Sequence, residues 1–280
     1  MESFRPKSRV KEQRRILLKR RLIVAGISVV VLFGGLAGLS YAPFWKLNTV
    51  SVSGNTVTES RDIENAVLAH LYGSYGYIFA RANAVIYPHD AILASLERQF
   101  PRLETIDVSR NGFHQIVVKV TERKGEYLWC AGTPALLSNE TPCLFVDGHG
   151  YIFSSAPYFS GTVYFRFFGF GENFVPGQAL LDETIFTRLL GFRDFVAGLS
   201  YPSYALESLG DNDYALYLLN EHGTSTPKIL FTARRGLDKG ASDLESALSD
   251  ETFAKKMKAE FQNLEYLDVR YENKVYYKFK

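Results

Sequence analysis

LIVAGISVVVLFGGLAGL, residues 22–39, decides the fold, because its eighteen residues carry no charge. A helix rises about 1.5 Å per residue, and no charged residue follows until Lys46, so the segment is long enough to cross a hydrocarbon core about 30 Å thick. We predict a transmembrane helix with its interface over residues 22–45. An interfacial belt of aromatic residues is expected at its outer end, and three such residues occur there: Tyr41, Phe44 and Trp45.

Residues 1–21 form a basic tail in front of this helix. The tail carries nine Lys or Arg residues against two Glu residues, a net charge of +7. By the positive-inside rule the tail is cytoplasmic, and residues from about 46 onward lie on the other side of the membrane. Setting the topology is a sufficient role for these charges, although they could also bind anionic lipid headgroups or a cytoplasmic protein.

A cleaved signal peptide is the alternative interpretation of the N-terminus. Ser40-Tyr41-Ala42 places small residues at suitable offsets for cleavage. The apolar run is, however, longer than the roughly 7–15 residues usual in signal peptides, and Pro43 would follow the cut. We therefore favour a membrane anchor.

The rest of the chain is acidic. Of its 32 Lys and Arg residues nine lie in the tail, and of its 30 Asp and Glu residues two do, which leaves residues 22–280 with a net charge of −5. This balance argues against nucleic acid as a partner. The roughly 235 residues outside the membrane suffice for two small domains with cores of their own.

Cys130 and Cys143 are the only cysteines. Apolar segments adjoin both, and a loop rich in Gly, Pro and Ser separates them, so a hairpin would bring them face to face. We predict a disulfide, which the oxidising side of a membrane permits and which would stabilise the fold by about 2–4 kcal/mol. Two buried free thiols are the alternative. The sequence argues against a zinc site, because two cysteines without a nearby pair of histidines supply too few ligands.

Residues 46–100 predict one strand and two helices. The strand covers residues 46–53. Thr58 is the expected N-cap of the first helix, whose buried positions recur at helical spacing: Ile63, Val67 and Leu71. Pro88 and Pro101 bound the second helix, whose buried face comprises Ile92, Leu93, Leu96 and Phe100.

Residues 105–123 predict a hairpin around Asn111-Gly112. A two-residue turn would mix polar and apolar residues on each face. A three-residue loop, 111–113, pairs Val108 with Ile116 and keeps the apolar residues on one face. We therefore prefer the longer loop.

Residues 124–280 predict further helices and strands. One helix is expected at the spacing of Ile185, Leu189, Phe192 and Val196. Residues 214–219 and 229–231 flank the predicted turn residues Asn220, Glu221, His222 and Gly223. Ser242 and Glu245 form a capping box for a helix with a break near Asp250. Two strands, 267–271 and 274–279, close the chain around Glu272-Asn273.

Motifs for catalysis are absent from the sequence. There is no phosphate-cradling glycine loop, no His-Glu-x-x-His and no Gly-x-Ser-x-Gly. The five histidines are scattered without the spacing of metal ligands. We therefore predict no catalytic residues, no metal, no cofactor and no enzymatic activity.

The order strand, helix, helix, strand, strand directly after a membrane helix resembles a POTRA domain. More specifically, several stretches are similar to motifs of FtsQ/DivIB-type cell-division proteins: Val50 to Asn55 before a helix, Phe100-Pro101 with the hairpin ending at Arg123, Phe145 to Phe153, and Tyr266 to Tyr271. The resemblance implies an α+β fold, with a POTRA domain (β-α-α-β-β) at 46–123 and a mixed α/β domain with a largely antiparallel sheet, the family's β domain, at 124–280.

The resemblance also implies a function. Such proteins are non-enzymatic, single-pass membrane scaffolds of the bacterial divisome that link FtsB- and FtsL-type partners to septal peptidoglycan synthesis. Other divisome membrane proteins would bind the POTRA domain or the transmembrane helix. The expected location is the cell membrane at the division septum, with the bulk of the chain extracytoplasmic. An extracytoplasmic cell-wall enzyme or a ligand-binding sensor with a POTRA-like module is the alternative.

The predicted partner site is the last strand. Because no later strand follows before Lys280, we expect an open sheet edge to which a partner strand adds. In the family this happens after the Asp-x-Arg-Tyr motif, here Asp268 to Tyr271. The candidate residues are Tyr271, Lys274, Val275, Tyr276, Tyr277 and Lys278. The alternative is that the two lysines protect the edge from pairing, and Tyr276→Pro is the variant that the sequence suggests as a probe.

Overall fold

The structure is a computed structural model that describes residues 7–171, 173–220, 225–272 and 274–280, with side chains from residue 13 onward. The chain divides into a first unit, Met1–Gln99 with Thr105–Glu122, and a second unit, Phe100–Glu104 with Arg123–Lys280. Several predicted features lie outside the described residues: the first six residues of the basic tail, and the turn residues Glu221, His222, Gly223 and Asn273.

The first unit begins with α1 (Lys7–Ser40), which runs from the basic tail through the whole apolar stretch. Its part from Gln13 to Ser40 is long and apolar enough to cross a membrane, and its apolar side chains remain exposed. A helix that exposes apolar side chains all round requires apolar surroundings. The helix ends at Ser40, before the predicted limit at residue 45, because Pro43 starts a separate 3-10 turn.

The remainder of the first unit has the predicted order of strand, helix, helix, strand, strand, with one additional short hairpin. Within the described residues its sheet has the order β1-β5-β4, and β1 runs parallel to β5. The small hairpin β2–β3 was not predicted. The elements are β1 (Thr49–Ser53), α2 (Ser60–Leu71), β2 (Ser74–Tyr75), β3 (Phe79–Ala80), α3 (His89–Gln99), β4 (Leu103–Asn111) and β5 (Gln115–Glu122).

The core of the first unit lies between its two short helices and the sheet. Helix α2 packs against α3 and β1, and Ile116 and Val118 of β5 are fully buried. The predicted helix faces are confirmed for five buried residues, while Leu93 and Phe100 are only half-buried. The five are Ile63, Val67, Leu71, Ile92 and Leu96.

The predicted N-cap Thr58 is wrong, because α2 begins at Ser60 with Glu59 as its N-cap. Thr58 instead donates its N–H to the carboxylate of Glu122 at 2.8 Å, and the N–H groups of Thr56 and Val57 donate to the same carboxylate. Burial alone would raise the pKa of Glu122, but these hydrogen bonds and one from the Thr56 hydroxyl lower it to about 2. A carboxylate at the end of β5 thus holds the segment that leads into α2.

The predicted β4–β5 hairpin is present with a different register. Strand β4 extends to Asn111 and β5 starts at Gln115, so the loop is 112–114 rather than 111–113. Side-chain hydrogen bonds join Asn111 to Gln115 and Thr105 to Thr121. This register sets Val108 opposite Val118 instead of Ile116. Because the difference is two residues, the same side chains keep the buried face.

The second unit is built on a mixed sheet. Among the described residues it has ten strands in the order β10-β8-β7-β6-β9-β11-β12-β13-β14-β15. Three neighbouring pairs, β6–β9, β9–β11 and β13–β14, are parallel, and the rest are antiparallel. The predicted α+β class with a largely antiparallel sheet is confirmed. The strands are β6 (Tyr127–Cys130), β7 (Cys143–Val146), β8 (Tyr151–Ala156), β9 (Phe165–Phe168), β10 (Gln178–Ala179), β11 (Ser203–Gly210), β12 (Asp213–Leu218), β13 (Lys228–Thr232), β14 (Leu264–Asp268) and β15 (Tyr276–Phe279).

Helices α4 (Glu183–Gly198), α5 (Leu237–Ser249) and α6 (Glu251–Glu260) contribute to one core cluster with the sheet. The ring of Phe192 on α4 stacks on Phe231 of β13 at 4.2 Å. The prediction of Ile185 as a buried position is wrong, since Ile185 is exposed and its neighbour Phe186 is fully buried.

The start of α5 also differs from the prediction. The helix begins at Leu237 after Gly236, so Ser242 lies inside it and does not cap it. Leu237, Gly240 and Leu244 form its buried face, which explains the earlier start. The predicted break at Asp250 is confirmed, because the Asp250 carboxylate accepts the N–H of Phe253 at 2.8 Å and caps α6.

Candidate partner-binding edge

Strand β14 lies three residues earlier than predicted, and β15 is two residues shorter than predicted. Strand β15 pairs antiparallel with β14, with Asp268 opposite Tyr276 and Leu267 opposite Tyr277. Lys274 and Val275 therefore precede the last strand, and Tyr271 follows β14 instead of belonging to it. Strand β14 ends because the Asp268 carboxylate accepts the N–H of Arg270 at 3.0 Å, which turns the backbone out of the sheet.

Strand β15 is an edge of the ten-stranded sheet, and β14 is its one neighbour within the described residues. The N–H of Lys280 donates to the carbonyl of Asn263, the residue just before β14, at 2.8 Å. Because N–H groups alternate in direction along a strand, those of Tyr276 and Lys278 also point to β14. The N–H groups of Tyr277 and Phe279 point away from it, toward the open edge.

One face of β15 carries Tyr277 and Phe279. The ring of Tyr277 lies 4.9 Å from that of Phe253 on α6. The Nζ of Lys256 lies 5.2 Å from the Tyr277 ring and 4.9 Å from the Phe279 ring, within the range of a cation–π contact. The edge thus presents aromatic rings beside a positive charge.

A groove of about 590 Å³ adjoins this face. It separates the α5–α6 corner from the segment that leads into β15. The sequence predicted Lys274, Val275 and Tyr277 as site residues, but carried no signal that pairs them with α5 and α6. The lining residues are Asp243, Ser246, Ala247, Asp250, Thr252, Phe253, Lys256, Lys274, Val275 and Tyr277.

The other face of β15 carries Tyr276 and Lys278. Tyr276 is 49% exposed, and its ring meets that of Tyr271 edge-on at 5.3 Å. Lys278 forms an ion pair with Glu265 of β14 at 2.7 Å, and the hydrogen bond to this carboxylate raises the pKa of the lysine. The structure therefore brings together Tyr271 with Tyr276, and Lys278 with a glutamate that the sequence analysis did not single out.

A cluster of charges fixes the base of this edge. Arg270 contacts Asp268 and also Asp213 of β12, whose other carboxylate oxygen binds Arg234 at 2.7 Å. Burial would raise the pKa of Asp213, but its hydrogen bonds to Arg234, Thr232 and Arg270 lower it. No sequence signal connects Asp213 with the Asp268 motif, because the sheet brings them together from distant parts of the chain.

Cys130 and Cys143 lie in the other half of the sheet. They face each other in the β6–β7 pair with Cα atoms 4.1 Å apart and are joined by a disulfide in the structure. Five strands separate β6 from β15. The disulfide is therefore a feature of the scaffold and not of the candidate edge.

The described side chains contain no group of three or more His, Cys, Asp or Glu residues that could hold a metal ion. The groove beside β15 is lined by two aspartates and two lysines along with apolar side chains. This composition is suited to contacts with another polypeptide, which presents both charged and apolar groups.

These features define a membrane-anchored protein with one apolar helix, a small α+β unit and a mixed sheet that ends in an exposed edge. Several curated relatives carry the name cell division protein FtsQ. The chain is 36% identical to that of Streptomyces collinus over 105 residues, covering 37% of this chain and 36% of the relative. To the Streptomyces venezuelae protein the chain is 32% identical over 120 residues, which cover 43% of this chain and 41% of the relative. To the Streptomyces bingchenggensis protein the chain is 27% identical over 150 residues, which cover 52% of this chain and 50% of the relative.

The matches confirm the resemblance to FtsQ/DivIB-type proteins that the sequence motifs indicated. The matched part of this chain spans half or less of the length of each of these relatives. No family model matches the chain.

Proposed function

We propose that the protein is a non-enzymatic, single-pass scaffold of the bacterial division machinery. The name that its relatives carry supports a role in cell division. The apolar helix behind a basic tail supports an orientation with the tail in the cytoplasm and the rest outside. A location at the division septum would follow from the role in cell division. In this role the protein links FtsB- and FtsL-type partners to septal peptidoglycan synthesis by protein–protein contacts.

The observation that carries this proposal is the open edge of β15. The outward N–H groups of Tyr277 and Phe279 offer hydrogen bonds to a strand of a partner. Exposed rings on both faces of β15 would then pack against alternating side chains of the added strand. We assign this edge, with Tyr271, Lys274, Val275, Tyr276, Tyr277 and Lys278, to the FtsB-type partner.

The lysines are compatible with this assignment. A lysine discourages pairing at an edge when its charge must be desolvated without a partner. Lys278 already has a partner in Glu265, and Lys274 lies before the strand, on the wall of the groove. A strand that binds this edge would thus cover a lysine that already forms an ion pair, and it would not have to desolvate an isolated charge.

Two further assignments follow the family pattern. Residues 46–123 would be the POTRA domain and residues 124–280 the β domain. Other divisome membrane proteins would bind the POTRA domain or the transmembrane helix. The supporting observation is the β-α-α-β-β order in the first unit.

The edge is tested by a matched pair of variants. Tyr277→Pro removes an N–H that points to the open edge and leaves the β14–β15 ladder intact, whereas Tyr277→Ala removes the same ring and keeps the N–H. The variant suggested by the sequence, Tyr276→Pro, is less suitable because its N–H points to β14. Full-length protein in detergent is co-purified with the FtsB-type partner of the same genome.

We expect Tyr277→Pro to lose the partner and Tyr277→Ala to retain most of the binding. Ala179→Pro places a proline in β10, the opposite edge of the same sheet. It controls for the general effect of a proline in an edge strand and should bind the FtsB-type partner as the unsubstituted protein does. Circular dichroism verifies that each variant is folded. Equal binding by the folded proline and alanine variants at position 277 would refute the edge-strand site.

A further inference from the structure

The short hairpin β2–β3 of the first unit is fastened to the end of the membrane helix. The N–H of Ala80 donates to the Ser40 hydroxyl at 3.1 Å, and the side-chain amide of the buried Asn83 donates to the Ser40 carbonyl at 3.0 Å. Backbone hydrogen bonds continue this attachment from Leu47 to Ala82 and from Ala84 to Trp45. The base of the hairpin therefore has a fixed position relative to the point where α1 ends.

The hairpin then runs back along α1. The ring of Phe79 in β3 meets the ring of Phe33 in α1 at 5.5 Å. Phe33 precedes Ser40 by seven residues, so it lies about 10 Å further along the helix axis. A hydrocarbon core of about 30 Å that starts at Leu22 reaches roughly to Tyr41. By the same count Phe33 lies about 12 Å inside the outer boundary of this core, so the Phe33–Phe79 contact falls within the hydrocarbon of the outer leaflet.

The tip of the hairpin is apolar and exposed. Tyr77 is 99% exposed and Ile78 is 44% exposed. Residues 72–80 contain no charged residue and include three tyrosines. A tip of this composition is suited to a lipid environment and poorly suited to water.

A cation lies at the base of the same hairpin. The guanidinium of Arg81 is placed over the ring of Tyr75 at 5.4 Å. Its Nε is buried without a hydrogen-bond partner, and among the described residues Arg81 forms no ion pair. Because this Nε is buried, a lipid phosphate at this level would bind the terminal nitrogens of the guanidinium, a group that binds phosphate oxygens well.

We propose that the β2–β3 hairpin is a second membrane contact, with Tyr77 and Ile78 inserted into the hydrocarbon of the outer leaflet and Arg81 near the level of the phosphates. The occupant of this surface is the phospholipid itself. The inference is independent of the edge strand β15, because both the hairpin and α1 belong to the first unit. The hairpin would limit the tilt of this unit relative to its own membrane helix.

The depth of the hairpin tip is measured with a nitroxide spin label. Full-length Ile78→Cys, labelled at position 78, is reconstituted in nanodiscs of phosphatidylcholine and phosphatidylglycerol. The matched control is Val57→Cys, which replaces another exposed apolar residue of the first unit, 65% exposed, beyond the other end of β1. Unsubstituted protein carried through the same labelling gives the background from Cys130 and Cys143.

We expect the label at position 78 to be reached by oxygen and shielded from a water-soluble nickel chelate, and the label at position 57 to show the reverse. Adding Tyr77→Asp to the Ile78→Cys protein should increase the access of the nickel chelate, because a carboxylate at the tip opposes insertion. If the label at position 78 meets the nickel chelate as readily as the label at position 57, the hairpin lies in water and the proposal is wrong. The exposed tip would then be better explained as a docking surface for protein.

Discussion

Arg270 holds the carboxylate of Asp268 through two hydrogen bonds, with Nε 2.9 Å from Oδ1 and Nη2 2.6 Å from Oδ2. Asp268 is only 5% exposed, so Arg270 is the cation that faces a buried carboxylate. Arg270 also reaches Asp213 at 3.2 Å. The pair fixes the end of β14 and, through it, the position from which Tyr271 meets Tyr276.

Arg270→Ala should destabilise the second unit by about 3 kcal/mol, because a buried carboxylate then loses its partner. Arg234→Ala is the matched control, since Arg234 contacts the same Asp213 from a more exposed position. It should cost about 1 kcal/mol or less. Urea titration of the full-length variants in detergent, followed by tryptophan fluorescence, measures both values. If the two variants lose similar amounts of unfolding free energy, the Arg270–Asp268 pair contributes no more to stability than the exposed Arg234–Asp213 pair.

Glu122 should make the stability of the first unit depend on pH. Its pKa in the folded protein is about 2, below the ordinary value of 4.5. A lowered pKa stabilises the fold above the ordinary value, and this contribution is lost as the pH falls from about 4.5 toward 2. Glu122→Gln should therefore reduce the free energy of unfolding at pH 7, with a smaller deficit at pH 3. The measurement is denaturant unfolding of both proteins at several pH values.

Glu97→Gln serves as a control for the general effect of removing a glutamate, because Glu97 of α3 in the first unit is exposed. It should leave the pH dependence unchanged. A deficit of Glu122→Gln that stays constant from pH 7 to pH 3 would contradict the role of the carboxylate.

The disulfide between Cys130 and Cys143 should block thiol labelling. Protein from the native membrane that is denatured but not reduced should not react with maleimide. After reduction, the same protein should react with two maleimide molecules per chain. Replacing both cysteines by serine should lower the free energy of unfolding by about 2–4 kcal/mol. Two modified thiols per chain before reduction would show that the cysteines are free.

The orientation in the membrane is tested with a reporter that works only in the cytoplasm. Fused after Lys280, it should give no signal, because the positive tail retains the N-terminus inside. The same reporter fused in front of Met1 should be fully active. Activity of the C-terminal fusion would reverse the proposed topology.

Features of the fold that depend on local sequence were predictable. The uncharged run 22–39, the buried positions of α2 and the break at Asp250 all follow from periodicity or capping within a few residues. Strands β2 and β3 were not predictable, because two residues each are too short for a period. The capping box at Ser242 was misleading, since a buried Leu237 extends α5 by more than one turn.

The candidate site was predictable in its position along the chain but not in its geometry. The last strand is where the sequence indicated, yet its limits depend on the turn at Asp268 and on Asp213 from a distant strand. The direction of each N–H in β15 follows from the register with β14, which a sequence does not specify. Similarly, the Glu122 carboxylate replaces the expected cap because a strand more than sixty residues away ends beside α2.

The parallel pairing of β1 with β5 has a consequence for biogenesis. Thr49 pairs with Gln115. At a synthesis rate of about 5–20 residues per second, Gln115 is therefore added roughly 3 to 13 s after Thr49. The two helices α2 and α3 can form meanwhile, since their contacts are local. Until β5 has been synthesised, the unpaired edge of β1 is open to proteases and to wrong pairing. The shortest chain that completes this unit therefore includes β5, and truncations before residue 115 should be degraded.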